Sequence, residues 1–274
     1  MTPHDLSVFA RQNASLWPTR VDLGKPVNRE FVDHCWNKGT VSVNIRLVPL
    51  VQMGIDGTHK NIYEWAKDEA VLSLRSEEAC LLQRLDTYYD RRILFEQECV
   101  NGRRFRYGAF NTGSLGPGYY GDFCLFLGRA SCEADPTLVF LEGNSLERFV
   151  SLTPAVDWAS LEQAVATFAD APLLALVKLE SQMASLPAAG WPGLICHDSD
   201  YLEAIFTEQI HLNRVEEAWV SAARYKEYFR AAFDATVAPH FSSDIEKAGR
   251  EALNADFKRL RSWEQSGRIK IRKV

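Results

Sequence analysis

The chain has 274 residues, 46% of them hydrophobic and 24% charged, enough for a sizeable core and too apolar for wholesale disorder. A formal net charge of −5 argues against a protein that coats nucleic acid with its whole surface, and leaves room for a local basic patch. Six cysteines without a C-x-x-C pair and six scattered histidines without H-E-x-x-H argue for buried free thiols in a reducing compartment, and against a metal site.

No apolar h-region opens the sequence, and no window nears the roughly 18 uninterrupted apolar residues of a spanning helix. The expectation is a cytoplasmic protein with no membrane partner, or one exported by a dedicated machine without a Sec-type signal. Residues 1–39 are polar, broken by Pro18 and Pro26, and read as an N-terminal segment with short helices. Residues 40–46 alternate β-branched and polar side chains, the period-2 signature of a half-buried strand. The next residues, 47–53, predict a short helix closing at Gly54 and Gly57, and 62–98 predict one or two helices. Asn101-Gly102 is a hairpin-turn signal.

The stretch 105–124 holds five glycines and six aromatics, and its part 105–122 reads as a wide loop leading into an apolar strand at 123–127. Residues 136–141 predict another strand, ended by Gly143-Asn144-Ser145. Amphipathic helices are expected at 157–169 and 172–186, with Pro172 near a start and Pro187 as a stop. Residues 201–212 read as a strand, 216–236 and 242–265 as helices, and 268–273 as a charged edge strand.

Three features carry candidate chemistry. In the 105–122 block, glycines allow close backbone approach and tyrosines offer flat faces to a planar ring, which suits nicotinamide or adenine; a loop packed on its own aromatics is the alternative. Arg46, at the end of an apolar strand, needs an anionic partner: a phosphate, or a carboxylate of this chain. Glu203 sits among apolar neighbours, on the face of Tyr201 and Ile205 if the strand alternates, and needs a donor, a substrate or water. Asp198, Asp200 and Glu203 also form a loose D-x-D-x-x-E that a metal-dependent nuclease would use.

The order of these features resembles the ADP-ribosyltransferase superfamily. The likeness is to a little-characterised bacterial branch with a Tyr-Gly-Ala-x-Asn block, here Tyr107-Gly108-Ala109-Phe110-Asn111, and more distantly to DarT-type enzymes. That branch has a Gly-Asp-Ser downstream, where this chain has Gly143-Asn144-Ser145, and a Glu that opens a late strand, here Glu203. The second-strand Ser-Thr-Ser of arginine-modifying transferases is absent, and Tyr63-Glu64 is a candidate for the branch's aromatic–acid element. The resemblance covers about residues 40–221.

It implies an α+β fold, an ADP-ribosyltransferase-like split β-sandwich with flanking helices. The segments would be 1–39, a catalytic domain at 40–221, and a helical basic C-terminal appendage at 222–274. NAD would be the substrate, in a cleft between two small sheets. Arg46, Asn44, Tyr107, Gly108, Asn111 and Tyr120 would hold it, and Glu203 would act on the nicotinamide ribose. The acceptor would be a macromolecule, nucleic acid or protein, and the protein a toxin, effector or phage-defence component with an antitoxin or regulatory partner. The alternative is an inactive binding module of the same fold acting on a protein partner. The basic residues Lys258, Arg259, Arg261, Arg268, Lys270, Arg272 and Lys273 beside Trp263 would hold a nucleic-acid backbone or form a solvated face.

Overall fold

The computed structural model describes residues 3–153, 155–233 and 244–274. It is a mixed α+β protein built on a mostly antiparallel sheet. Helix α1 (Leu6–Asn13) is capped by Asp5, whose side chain accepts from the Ser7 and Val8 N–H groups, and α2 (Pro26–Lys38) opens on a proline that needs no N–H partner. Strand β1 (Thr40–Ile45) runs into α3 (Leu47–Asp56), which Gly57 ends in a left-handed conformation. The short β2 (Thr58–His59) leads to α4 (Ile62–Ser73), whose capping box couples Asn61 and Glu64. Then come α5 (Glu77–Leu85) and α6 (Tyr89–Glu98).

The middle of the chain supplies β3 (Arg106–Asn111), β4 (Phe123–Leu127), α7 (Arg129–Glu133), β5 (Val139–Leu141) and α8 (Ser145–Arg148). After α9 (Trp158–Gln163) and β6 (Val165–Thr167) come α10 (Ala171–Met183) and α11 (Trp191–Ile195). The remainder is β7 (Glu203–Phe206), β8 (Ile210–His211), β9 (Val215–Val220), α12 (Ala222–Phe233), α13 (Asp244–Gln265) and β10 (Ile271–Lys273).

Eight strands form one sheet in the order β10-β9-β4-β1-β3-β7-β5-β6, and β2 and β8 form a separate ribbon. Among the described strands, only β10 runs parallel to its neighbour, β9. The two faces differ because the strands alternate. On one side Val41, Val43, Ile45, Phe110, Leu125, Ala204 and Phe206 enter the main core with α2, α3, α10 and the C-terminal helices. On the other, Ile205, Val139 and Leu141 pack under α1, α6, α8 and α9. The same face carries polar side chains at its centre: Ser42 and Asn44 on β1, Tyr107 and Asn111 on β3, and Glu203 on β7.

Several expectations change. Residues 106–111 form a central strand, so the loop shrinks to the segment after Asn111. Alternating small and aromatic side chains let β3 pair with β1 on one side and β7 on the other, where the glycine content had suggested a loop. Because β3 bridges them, the strands make one continuous ladder, where two small sheets had been expected. The 201–212 strand divides: β7 stops at Phe206, and β8 turns away to pair with β2. Helix 157–169 ends early, and residues 165–167 join the sheet as β6. Residues 215–220 are strand β9, paired with β4, rather than the start of a helix. Asn101 turns left-handed (φ 58°), but the turn joins α6 to β3 and makes no hairpin. The helical stretch at 62–98 is three helices. The part of the expected helices at 234–243 lies outside the described residues.

The C-terminal segment is built into the fold. Strand β10 lengthens the main sheet, Phe257 and Leu260 of α13 are in the main core, and Trp263 lies against Gly54 of α3. Its cations are engaged internally: Arg261 and Lys273 with Glu264, Lys270 with Glu217, Arg259 with Asp256. Arg268 donates to the Gly54 carbonyl and covers the Trp263 ring, and Arg272 covers Trp219. A Cβ at Gly54 would fall inside the Trp263 ring. Gly54→Ala is therefore expected to destabilise the protein by about 1–2 kcal/mol in urea unfolding, as overpacking outweighs the better helix propensity of alanine. In a Trp263→Ala background the same substitution is expected to cost nothing; an equal loss in both backgrounds would contradict this docking.

Candidate active site

Glu203 opens β7 at mid-sheet, its Cα paired with Ala109 of β3 and Leu141 of β5. Alternation sends its side chain to the polar centre of the second face, beside Tyr107, which lies opposite Ile205. The residue is 5% exposed. Its Oε2 accepts a hydrogen bond from the backbone N–H of Ser145 at 2.8 Å. That N–H is one of the unpaired donors at the start of α8, whose cap is the Asn144 side chain, bonded to the Leu146 N–H at 3.0 Å. The Ser145 hydroxyl lies buried nearby but is not aligned for a hydrogen bond, so the backbone donor is the contact that counts.

Burial pushes the Glu203 carboxyl up to about 7; Ser145 and the nearby Arg92 guanidinium oppose that rise, and Glu147 adds to it. One bond to one N–H does not replace the hydration that a carboxylate loses on leaving water. Two tyrosines close the site from above. The Tyr201 and Tyr120 hydroxyls are 3.2 Å apart, and Asn144 Nδ2 approaches the Tyr120 hydroxyl at 3.4 Å. Tyr201 is buried, Tyr120 is 45% exposed, and both hydroxyls lie close enough to Glu203 to feel its charge. Burial, and after it the Glu203 charge, pushes the Tyr201 hydroxyl well above the usual range, and it stays a proton donor.

On the other side lies an ion pair. Arg92 Nε and Glu96 Oε1, one helical turn apart on α6, are hydrogen-bonded, and Glu96 also accepts from the hydroxyls of Tyr63 and Tyr107. The Arg92 guanidinium lies over the Tyr107 ring, 3.5 Å from its centroid.

The expected site residues divide into two groups. Glu203, Tyr107 and Tyr120 come together. Asn44 and Asn111 hold the loop that follows β3. Asn44 Nδ2 donates to the carbonyls of Leu115 (2.9 Å) and Gly121 (3.2 Å), and Asn111 Oδ1 accepts from the N–H groups of Gly113 and Ser114 (both 2.8 Å). Gly108 permits close strand pairing, since a Cβ there would strike the Ser42 carbonyl. Arg46 is not brought to the cluster. The ladder with β4 ends at Ile45, the Arg46 carbonyl accepts from Leu50 to begin α3, and the side chain is exposed with no ion pair or hydrogen bond to the described residues. Tyr63 reaches the cluster through Glu96, whereas Glu64 turns to Arg106.

Sequence reasoning missed Arg92, Glu96 and Tyr201. The legible signal was an i,i+4 Arg–Glu pair enclosing the apolar run Ile93, Leu94 and Phe95. The carboxylates of the D-x-D-x-x-E pattern have separate partners. Asp198 accepts from the Gly118 N–H at 2.6 Å, Asp200 pairs with Lys178, and Glu203 binds Ser145. Among the described residues no group of three or more His, Cys, Asp or Glu side chains is close enough to hold a metal ion. No described helix is long and apolar enough to cross a membrane.

Two cavities open elsewhere. The larger, about 830 Å³, lies between α1, α2 and the start of α10, with Trp36, Phe168 and Leu173 in its wall, and the smaller, about 470 Å³, adjoins Trp17 and Arg148. Neither includes Glu203. The chemistry and the larger of these two cavities do not coincide, and the titratable cluster is the better guide to function because the cavity wall is mostly apolar.

Among known proteins, no family model matches the chain and no curated protein matches it.

The burial of Glu203 predicts a pH signature in stability. Its folded pKa of about 7 lies above the ordinary carboxyl value of 4.5, so the folded state holds the extra proton between those values. Wild-type stability should therefore fall as pH rises from about 4.5 to 7, by on the order of 3 kcal/mol. Glu203→Gln, which keeps an acceptor for Ser145, should escape this loss. Urea midpoints at pH 5 and pH 8 test it: the variant should gain on wild type at the higher pH, and an equal difference at both would contradict the buried carboxylate.

Proposed function

We propose that the protein is an NAD-consuming ADP-ribosyltransferase, with an ADP-ribosyltransferase-like arrangement of its sheet, and that Glu203 is the catalytic carboxylate. The observation that carries this reading is the position of Glu203: first residue of a late strand, out of water, on one face with the tyrosine of the Tyr107–Asn111 block. The adjacency of β1, β3 and β7 adds support, because the three motif-bearing segments of the resemblance become neighbouring strands.

In this reaction the bond between the ribose C1′ and the nicotinamide nitrogen breaks, and its electron pair leaves with nicotinamide. Positive charge develops on the ribose, and the ionised Glu203 stabilises it while accepting a hydrogen bond from a ribose hydroxyl. A nucleophile of the acceptor then forms the new bond to C1′ and gives up a proton to solvent. Tyr120 offers a ring face, Tyr107 carries the Arg92 guanidinium on its own, and the Ser145 N–H holds the carboxylate in one orientation. The acceptor belongs to the macromolecular class, nucleic acid or protein, and a toxin, effector or phage-defence role in the cytoplasm or after export fits a chain that consumes NAD.

A second reading has one specific observation in its favour. Glu203 is 5% exposed, and the larger cavity lies apart from it, as a non-catalytic binding module of the same fold would allow. Calorimetry with NAD separates the two, since such a module would give no heat of binding.

Release of nicotinamide from NAD by the purified protein is the test of the catalytic reading. Glu203→Gln should lower the rate about 100-fold or more, in line with loss of a preorganised charge. Because the ionised form is the active one, kcat/KM should rise with pH through the carboxyl's value near 7 and level off above it. Normal turnover by a folded Glu203→Gln protein would overturn the assignment.

A further inference from the structure

Arg92 is unusually constrained for a helix-surface arginine. Its Nε is tied to Glu96, its guanidinium carbon lies over the Tyr107 ring 3.5 Å from the centroid, and its side chain is 14% exposed. Glu96, in turn, has a fully buried side chain and accepts from three donors, Tyr63, Tyr107 and Arg92. A carboxylate gripped in this way fixes the arginine fork in one orientation and cannot swing away with it. The two terminal nitrogens of the fork, Nη1 and Nη2, make no hydrogen bond or ion pair with the described residues. A guanidinium carries five N–H donors, so the four on the terminal nitrogens are left for water or for a ligand.

The fork stands beside the carboxylate without touching it. Tyr107, beneath Arg92, is the diagonal cross-strand neighbour of Glu203, a spacing of roughly 7–8 Å between Cα atoms. No ion pair joins Arg92 to Glu203. The adjoining carboxylate Glu147 is bonded to the Tyr88 hydroxyl at 2.7 Å, and Arg91 lies over the Tyr88 ring while donating to the Leu146 carbonyl at 3.1 Å. Arg91 is thus occupied at Tyr88 and Leu146, and the Arg92 terminal nitrogens have no hydrogen-bond partner among the described residues. Arg46, by contrast, is exposed and has no partner among the described residues to orient it.

Resting on the NAD reading above, we infer that Arg92, and not Arg46, grips phosphate oxygens of the dinucleotide whose ribose meets Glu203. A planar fork whose Nε is already anchored offers its outer edge to two oxygens of a phosphate, which a lysine ammonium does not match. Glu96, Tyr63 and Tyr107 are then positioning residues that keep this edge turned toward the site.

Calorimetry with ADP-ribose, which carries the pyrophosphate but no nicotinamide, tests the assignment on the full chain. Wild type should bind in a salt-dependent way. Arg92→Gln should bind about 10- to 100-fold more weakly, the range that charge-assisted hydrogen bonds support, and with a flatter salt dependence. Arg92→Lys, which keeps the charge and the contact with Tyr107, should lose about tenfold and decides the question if the Gln variant fails to fold. Arg46→Gln should bind as wild type does. ADP-ribose binding unaltered in both Arg92 variants, or lost in Arg46→Gln alone, would overturn the inference while leaving the NAD reading intact. Arg92-dependent binding without nicotinamide release would overturn the NAD reading and keep the phosphate site. A wild-type protein that does not bind ADP-ribose would overturn both.

Discussion

A carboxylate held out of water by a single backbone N–H is the constraint around which this protein is organised. Glu203 costs stability where it stands, because Ser145 supplies one hydrogen bond and burial removes the rest of its hydration. Its neighbours do little to relieve that cost. Tyr201 and Tyr120 bond to each other, and Arg92 is bound to Glu96 and touches Tyr107. A structural glutamate would be expected to pair with the closest guanidinium. Here the guanidinium is kept near and kept apart, which is an arrangement suited to a third body between them.

The fold explains how this arrangement is maintained. Strand β3 joins two halves of the sheet, β10-β9-β4-β1 on one side and β7-β5-β6 on the other, and it carries Tyr107 at the seam. One face of that sheet is anchored by the large core under α2, α3 and α10, extended by α13 and β10 at the far edge. The other face is covered by α6 and α8, which deliver Arg92 and the Ser145 N–H. Site residues therefore come from rigid strands and short helices, while the Gly-rich loop after Asn111 supplies Tyr120 at the opening. That loop is fastened by Asn44, Asn111 and Asp198, so its tyrosine is presented by a structured segment.

Legibility followed local periodicity. The alternation of 40–45 and the apolar run 123–127 were read correctly because a strand's faces are written two residues apart. Glu203 stood out because a carboxylate among apolar neighbours contradicts its surroundings, and the face expected for it, shared with Ile205, is the observed one. Residues 106–111 were misread because glycine content outweighed a pattern that only the neighbouring strands β1 and β7 make favourable. The strands at 165–167 and 215–220 were hidden in helical composition, a case of tertiary pairing overriding local preference. Asn44 and Asn111 were legible as polar groups on buried strands, but their partners are loop carbonyls and N–H groups whose positions no spacing rule gives. The Arg92 fork was not legible as a site at all, since its meaning depends on Tyr107, fifteen residues downstream in sequence and directly beneath it in space.

The central claim is that Glu203 titrates as a buried, ligand-facing carboxyl. The most direct measurement is a pH titration by carbon NMR of protein labelled at the glutamate side-chain carboxyls, with the Glu203→Gln protein used to assign the signal. The account predicts one resonance with a midpoint near 7, absent from the variant. A Glu203 resonance that titrates near 4.5 with the exposed glutamates would contradict it.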